Sequence, residues 1–556
     1  MLTRRAFHQQ LAALAVATAL PRPAWASADL GVPAAEQFLN RLSFGANVAA
    51  RAEFAALGAQ GWLDAQLAMP ISDADLDERL ADARLRINYE AGDDGETGSW
   101  EAMDELRPLA ALTADPADYV RLLDFANAME YSERIRPAKE VIAASLIRAV
   151  HAKAQLRELV TQFWHDHFSV NAMKFEGTAV FFPSYDAMLR DNAFGNFRVL
   201  LGGVARSPAM LYYLNNEESR ASPANENFAR ELLELHTLGA QNYLNDTAPN
   251  WHDVPGAADG LALGYIDQDV YEVARAFTGW TVGDGRYVSE GVETPKTGRF
   301  HYVEAWHDPY QKRILGREFQ PNQGPMADGD HVLDILATHP GTAAFVCKKL
   351  IRRLLVDDPD PAMIDRVAQV FLRASDAPDQ IAQVIRAIVA DPLFADTPPS
   401  KLRRPFEFLA GLYRATGAEI SAIELGFDWQ LARAGWHQHS YGPPTGHPDR
   451  ASRWCAASTM NRYVDLAFFA HDDWFGCTKT SLGDATPQNA ESFAAFSGYW
   501  VERLRGPDAP DLLPELSAAF DIGDVDAAME LNPEDRQGAA AMAVAFAAMT
   551  PQFMLR

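Results

Sequence analysis

The chain has 556 residues, 48% apolar and 22% charged, which are the proportions of a folded globular protein rather than a disordered one. Its formal charge of −26 strongly disfavours binding to nucleic-acid phosphates, which needs a basic surface, so no nucleic-acid partner is expected, and it disfavours docking on anionic lipid. The same excess favours solubility and a neutral or cationic ligand.

The chain opens Met1-Leu2-Thr3-Arg4-Arg5-Ala6-Phe7, continues through an apolar run from Leu11 to Leu20, and reaches the small-residue stretch Ala24-Trp25-Ala26-Ser27-Ala28. A charged segment, a short apolar segment and an A-x-A-like site in that order make residues 1–28 a signal peptide. The paired arginines with Phe7 resemble a twin-arginine (Tat) signal, with a Sec signal as the other reading. The expected location is periplasmic or otherwise exported, with the Tat export machinery as a partner. The apolar run is too short to cross a bilayer, which takes roughly 20 residues, and no later stretch is apolar enough, so no transmembrane anchor is expected.

Beyond the signal the periodic segments are helical. Three stretches read as long loops: 82–106, 245–266 and 283–325. No sustained period-2 alternation bounded by hairpin turns stands out. The expected fold is all-α (mainly α), a large multi-helix globular domain with long loops, spanning 29–556 as one unit.

The segment 156–168 (LRELVTQFWHDHF) carries Leu156, Leu159, Val160, Phe163 and Trp164 on one helical stripe. His167 falls in that stripe, as an acid, base or ligand or as a core histidine bonded to a backbone carbonyl. His165 points to the opposite side, toward solvent. In 222–239 (SPANENFARELLELHTLG), Ser222 is the expected cap, Pro223 the first helical residue and Gly239 the stop. Glu226, Arg230 and Glu234 follow at ion-ladder spacing. Glu231 and Asn227 flank the apolar stripe, where a carboxyl is partly desolvated and its pKa rises. Glu231 is thus a candidate acid or base oriented by Asn227.

In 267–280 (DQDVYEVARAFTGW), Asp269 and Glu272 have capping-box spacing, and Trp280, after Gly279, is a candidate cleft residue. The segment 300–316 (FHYVEAWHDPYQKRILG) gathers His301, His307, Asp308 and Lys312 in an aromatic loop. A His-Asp pair there suits acid–base chemistry or a metal, and Asp308-Pro309 also suits a turn.

Further on, Val346, Leu350, Ile351, Leu354 and Leu355 form a stripe with Lys348, Lys349, Arg352 and Arg353 opposite. In 435–449 (GWHQHSYGPPTGHPD), His437, His439 and His447 read as incidental histidines of a surface loop. Of the three cysteines, Cys347 suits a buried position, while Cys455 and Cys477 are free to pair or not. No phosphate-binding glycine loop, GxSxG, HExxH or haem-attachment motif is present.

Several of these segments, in this order, resemble the DUF1800 family of exported bacterial proteins of unknown function. They include FLNRLSFG at 38–45, FWHDHF at 163–168, NENFARELLELHTLG at 225–239, DVYEVARAFTGW at 269–280, HDPYQKRILG at 307–316, KLRRPFEF at 401–408 and TPQFMLR at 550–556. Residues 470–540 fit the resemblance less clearly. The resemblance implies a single, mostly helical unit and no particular reaction.

The functional expectation is an exported enzyme whose catalytic groups are His167, Glu231, His307 and Asp308, with Asn227, Trp280, His301 and Lys312 binding substrate. Acid–base hydrolysis is its concrete form, with a divalent metal as candidate cofactor. The competing expectation is a non-catalytic periplasmic or cell-surface binding or assembly protein.

Overall fold

The computed structural model describes residues 32–556 except 421, 473, 474, 476, 479, 530 and 531, so the expected signal peptide lies outside the described residues. The protein is mainly helical, with short strands in small two- and three-stranded sheets. These strands correct the all-helical expectation. Arg84–Tyr89 pairs antiparallel with Met103–Pro108, and Ala422–Ile423 adds in parallel. Leu85 and Ile87 turn inward while Arg86 turns outward to Asp104 and Glu424, so a period-2 pattern lies inside the expected loop 82–106.

The stretch 283–325 is also corrected. Trp280–Asp284 pairs with Lys296–Tyr302, and Lys312–Ile314 folds back on Arg317–Phe319. The latter hairpin turns at Leu315 (φ 52°) and Gly316 (φ 80°), the two left-handed positions of a type I′ turn. A Cβ at Gly316 would strike the backbone of Ala257. The stretch 245–266 is a loop with two single 3₁₀ turns, as expected.

The helix Gln155–Phe168 runs through the centre, with thirteen of its fourteen residues buried. Its apolar stripe packs as the periodicity predicts, but its polar side is also enclosed. The helix Glu176–Asp191 packs along it, and Asp186 bonds His165 at 3.0 Å, leaving His165 7% exposed. The solvent-facing expectation for His165 is therefore overturned, because a second layer covers the polar face and supplies a carboxylate.

The helix Pro340–Leu354 shows the same effect. Val346, Leu350, Ile351 and Leu354 are buried as expected, and so is Arg353, at 1% exposure. Its guanidinium pairs with Glu407, which also holds Arg404 at 2.6 Å and Arg556 at 3.3 Å. Buried charges persist only when paired, and this knot ties Pro340–Leu354 to the helix Pro405–Thr416 and to the C-terminal residue.

Two local expectations are also corrected. The helix expected from Pro223 begins at Glu226, capped by the Asn225 side chain, and continues as a π-helical turn from Leu232 to Thr237. In the helix Asp267–Ala276, Asp269 does not cap the start. It sits one turn in and accepts a bond from the backbone N–H of Ile266 at 3.0 Å, and a second from Leu315 at 2.8 Å. All three cysteines are free: Cys347 and Cys477 buried, Cys455 exposed.

Candidate functional site

The C-terminal end of Gln155–Phe168 meets the segment 435–449, and between them and the helix Pro340–Leu354 lies a cavity of about 310 Å³. That places it at the small end of ligand pockets, which span roughly 300–1,000 Å³.

The segment 435–449 leaves His437 exposed, as a surface loop would, but packs its other two histidines into the protein, which corrects the expectation for them. Trp436 and Gln438 are fully buried, and His439 and His447 nearly so. Gln438 bonds Gln162 at 2.9 Å, and the carbonyl of His439 accepts from the backbone N–H of Ala172 at 2.8 Å. Gly446 (φ 75°) presses against the backbone of Asp166, where a Cβ would collide with the Asp166 carbonyl. His447 stacks on Trp436 with ring centroids 3.9 Å apart.

Asp166 is the hinge of the site. Its carboxylate accepts from Nδ1 of His447 at 3.0 Å and from Nη1 of Arg404 at 2.7 Å. Burial would raise its pKa, but the Arg404 charge and the His447 bond hold it well below the usual carboxylate range. Nε2 of His447 accepts from the backbone N–H of His437 at 3.2 Å, so both ring nitrogens are engaged and the imidazole is neutral. Burial lowers its pKa, against the pull of Asp166.

His167 lines the same cavity. Its Nε2–H donates to the carbonyl of His236 at 3.0 Å, and its Nδ1 is buried without a hydrogen-bond partner. Burial, together with the nearby charge of Lys349, pushes its pKa well below the ordinary value. The same two causes bring His236 down to about 3.

The charge of the lining is the site's main electrostatic feature. Lys349, Arg352, Arg353, Arg404, Arg450 and Arg453 face two carboxylates, Asp166 and Asp449. Arg353 and Arg404 are committed to Glu407 and Asp166, Arg450 to Asp358, and Asp449 to Lys401 at 3.0 Å. Among the described residues Lys349, Arg352 and Arg453 pair with no carboxylate, though Nε of Arg352 donates to the carbonyl of Asp357 at 2.8 Å, and Nη2 of both Arg353 and Arg404 is buried without an acceptor. Burial pushes the Lys349 ammonium down to about 8, partly offset by Asp166 and Asp449.

On the far side of the helix Gln155–Phe168 lies a second polar cluster. Asp186 holds His165, Arg190 at 2.7 Å and Arg148 at 3.1 Å, while Nε2 of His439 meets Oγ of Ser145 at 2.8 Å. The His165 and His439 rings lie 4.1 Å apart. The space beside them is about 10 Å³, room for about one water.

The other residues singled out from sequence have partners of their own. His307 donates from Nδ1 to the carbonyl of Thr278 at 3.0 Å and places Nε2 3.4 Å from Asp328. Asp308 clasps Arg275 through both oxygens, at 2.8 and 3.0 Å. Lys312, fully buried, donates to Asp328 and to the carbonyls of Asp308 and Tyr310. Trp280 is fully buried under the Arg206 guanidinium, and His301 is half-buried on the strand Lys296–Tyr302. Asn227 is exposed, and Glu231 is half-buried with its carboxyl pushed up to about 7 by burial and by Glu234.

Of the residues expected to converge, only His167 lines the cavity, and no hydrogen bond or ion pair joins it to Glu231, His307 or Asp308. The residues that sequence reasoning missed are Asp166, Lys349, Arg353, Arg404 and His447. A buried Arg-Arg pair in LRRPFEF and the aromatic–histidine content of 435–449 were the available signals. Among the described residues, no group of three or more His, Cys, Asp or Glu is arranged to hold a metal ion. No helix of the described residues is long and apolar enough to cross a membrane.

Residues 37–555 match the family described as "Protein of unknown function (DUF1800)", and the chain belongs to that family. No curated protein and no solved structure matches the chain.

Proposed function

We propose that this protein binds a small anionic compound in the cavity between Asp166, Lys349 and His447 and performs acid–base chemistry on it. The observation that carries the reading is the unneutralised positive charge of the lining in a protein of net charge −26. At an effective dielectric of 20 and a separation of 4 Å a cation and an anion attract by about 4 kcal/mol, a figure that suits the partly buried Lys349 and Arg352 and falls for the exposed Arg453, which water and salt screen. A ligand anion relieves the mutual repulsion of Lys349, Arg352 and Arg453. A global acidic charge had favoured a neutral or cationic ligand; the local field has the opposite sign, and the local field is what a ligand in the cavity meets.

Lys349 is the proton-handling group of this reading. Its ammonium, brought down to about 8 by burial, titrates near the working pH, whereas burial keeps His167 neutral as part of the cavity wall. Glu231, His307 and Asp308 lie outside the cavity lining and are given no chemical step. Export through the twin-arginine route belongs to the same proposal and is supported by the Arg4-Arg5 pair, the apolar run and the small-residue site.

One observation favours pure binding over turnover: both ring nitrogens of His447 are already engaged, so the Asp166–His447 pair builds the wall rather than moving protons. Calorimetry with inorganic phosphate and with a small dicarboxylate tests the common core of both readings. Saturable heat is expected from the native protein, and at least ten-fold weaker binding from Lys349→Ala combined with Arg453→Ala, which leave the paired arginines intact. Equal affinity in that variant, or no saturable heat in the native protein, overturns the proposal.

A further inference from the structure

Anion binding alone does not require the amine of Lys349 to stand without a partner. Lys349 lies on Pro340–Leu354 with Arg352 and Arg353 three and four residues on, the spacing that puts side chains next to one another on a helix face. It makes no hydrogen bond or ion pair with any described residue, and its Nζ lies 5.4 Å from the centroid of the Phe345 ring. Every other lysine or arginine deep in this region has a carboxylate or carbonyl to hold it: Arg353 and Arg404 have Glu407, Lys401 has Asp357 and Asp449.

We propose that the Lys349 amine captures the carbonyl carbon of a small anionic aldehyde or 2-oxo acid as an imine, the acid group being held by the arginines beside it. This rests on the anion-binding reading above and adds the class of compound. Lys349 is partly buried with Arg352 beside it, and desolvation of its ammonium outweighs the opposing pull of Asp166 and Asp449; a desolvated amine loses its proton more readily, which is one way proteins activate lysine as a nucleophile. The bias of the Lys349 pKa toward about 8 agrees with that placement.

The step balances without an oxidant or reductant. The nitrogen lone pair forms a C–N bond to the carbonyl carbon while the C=O π pair moves to oxygen, and one N–H proton transfers to that oxygen to give a carbinolamine. The C–O bond then breaks as the remaining nitrogen lone pair forms C=N, and the oxygen leaves with the last N–H proton as water.

The test is reductive trapping on the whole protein at pH 8 with glyoxylate and cyanoborohydride, followed by peptide mapping by mass spectrometry. Expected is a secondary amine predominantly on Lys349, suppressed by excess inorganic phosphate. Acetaldehyde, which has the carbonyl but no anion, is expected to label Lys349 at least ten-fold less. Lys349→Arg keeps the charge and is expected to retain phosphate binding in calorimetry while losing the adduct. Phosphate binding with Lys349 unlabelled, or labelled no more than the exposed neighbour Lys348, overturns the imine and leaves the anion site standing as a purely ionic one. Absence of phosphate binding in the native protein overturns both.

Discussion

Asp166 and His167 are neighbours in sequence and share almost nothing in surroundings. Asp166 is locked between Arg404 and His447, while His167 keeps one nitrogen on a backbone carbonyl and the other uncommitted. The difference follows from the 100° step of a helix, which turns one side chain to the charged knot and the next to the histidine at 236. Glu231 illustrates the opposite case, a carboxyl raised to about 7 by burial and by Glu234. A raised carboxyl binds its proton more tightly folded than unfolded, so its cost to stability grows as pH rises from the unfolded carboxylate range through 7. Glu231→Gln is therefore expected to stabilise the protein more at pH 8 than at pH 5 in urea denaturation. An equal effect at both pH values would contradict the assigned burial.

At the scale of elements, the site is made where the segment 435–449 seats on the end of Gln155–Phe168. Gly446 makes that seat possible: its φ of 75° and its contact with the Asp166 backbone both exclude a side chain. Gly446→Ala is expected to cost about 1–3 kcal/mol from backbone strain, with a further loss from the collision. Urea denaturation reads the stability, and phosphate calorimetry is expected to show weakened binding as His447 and Asp449 shift. Unchanged stability and binding would mean that the segment is not seated as described.

The legibility of these elements in sequence follows the same physics. The helix Gln155–Phe168 and the stripe Val346 to Leu354 were readable because burial on one face imposes a 3.6-residue period. The burial of His165 and Arg353 is not legible because a helical wheel marks the apolar face and says nothing of a second layer that brings its own carboxylates, here Asp186 and Glu407. The hairpin at 84–108 was hidden by its short inward set of Leu85 and Ile87 among charged outward residues. The segment 435–449 has no period at all, and its partners lie far off in sequence, as Gln162 does from Gln438. The Arg-Arg pair of LRRPFEF and the histidines of 435–449 mark single residues of the site, but the convergence of Asp166, Lys349, Arg404 and His447 is a tertiary fact that no local pattern carries.

For the molecule as a whole, the governing feature is a positive cavity in a negative protein. Net charge sets the far field and solubility, whereas a ligand within a few ångströms responds to the nearest side chains, since beyond about 8–10 Å salt screens the rest. The buried arginine knot around Glu407 ties two of the cavity's lining residues, Arg353 and Arg404, to the helix Pro405–Thr416 and to Arg556. Asp166, Asp186 and Glu407 all have depressed pKa values, each opposed by burial and held down by arginine. Their stabilisation is complete above the unfolded carboxylate range and is lost as pH falls through their lower folded values, so the cavity's walls are built to persist at neutral pH. The most direct measurement of the central claim is a crystal structure of the protein soaked in selenate, with the anion located by its anomalous scattering. The account predicts a selenium peak inside the cavity, among Lys349, Arg353, Arg404 and Arg453; peaks confined to the outer surface, with the cavity empty of anion, would contradict it.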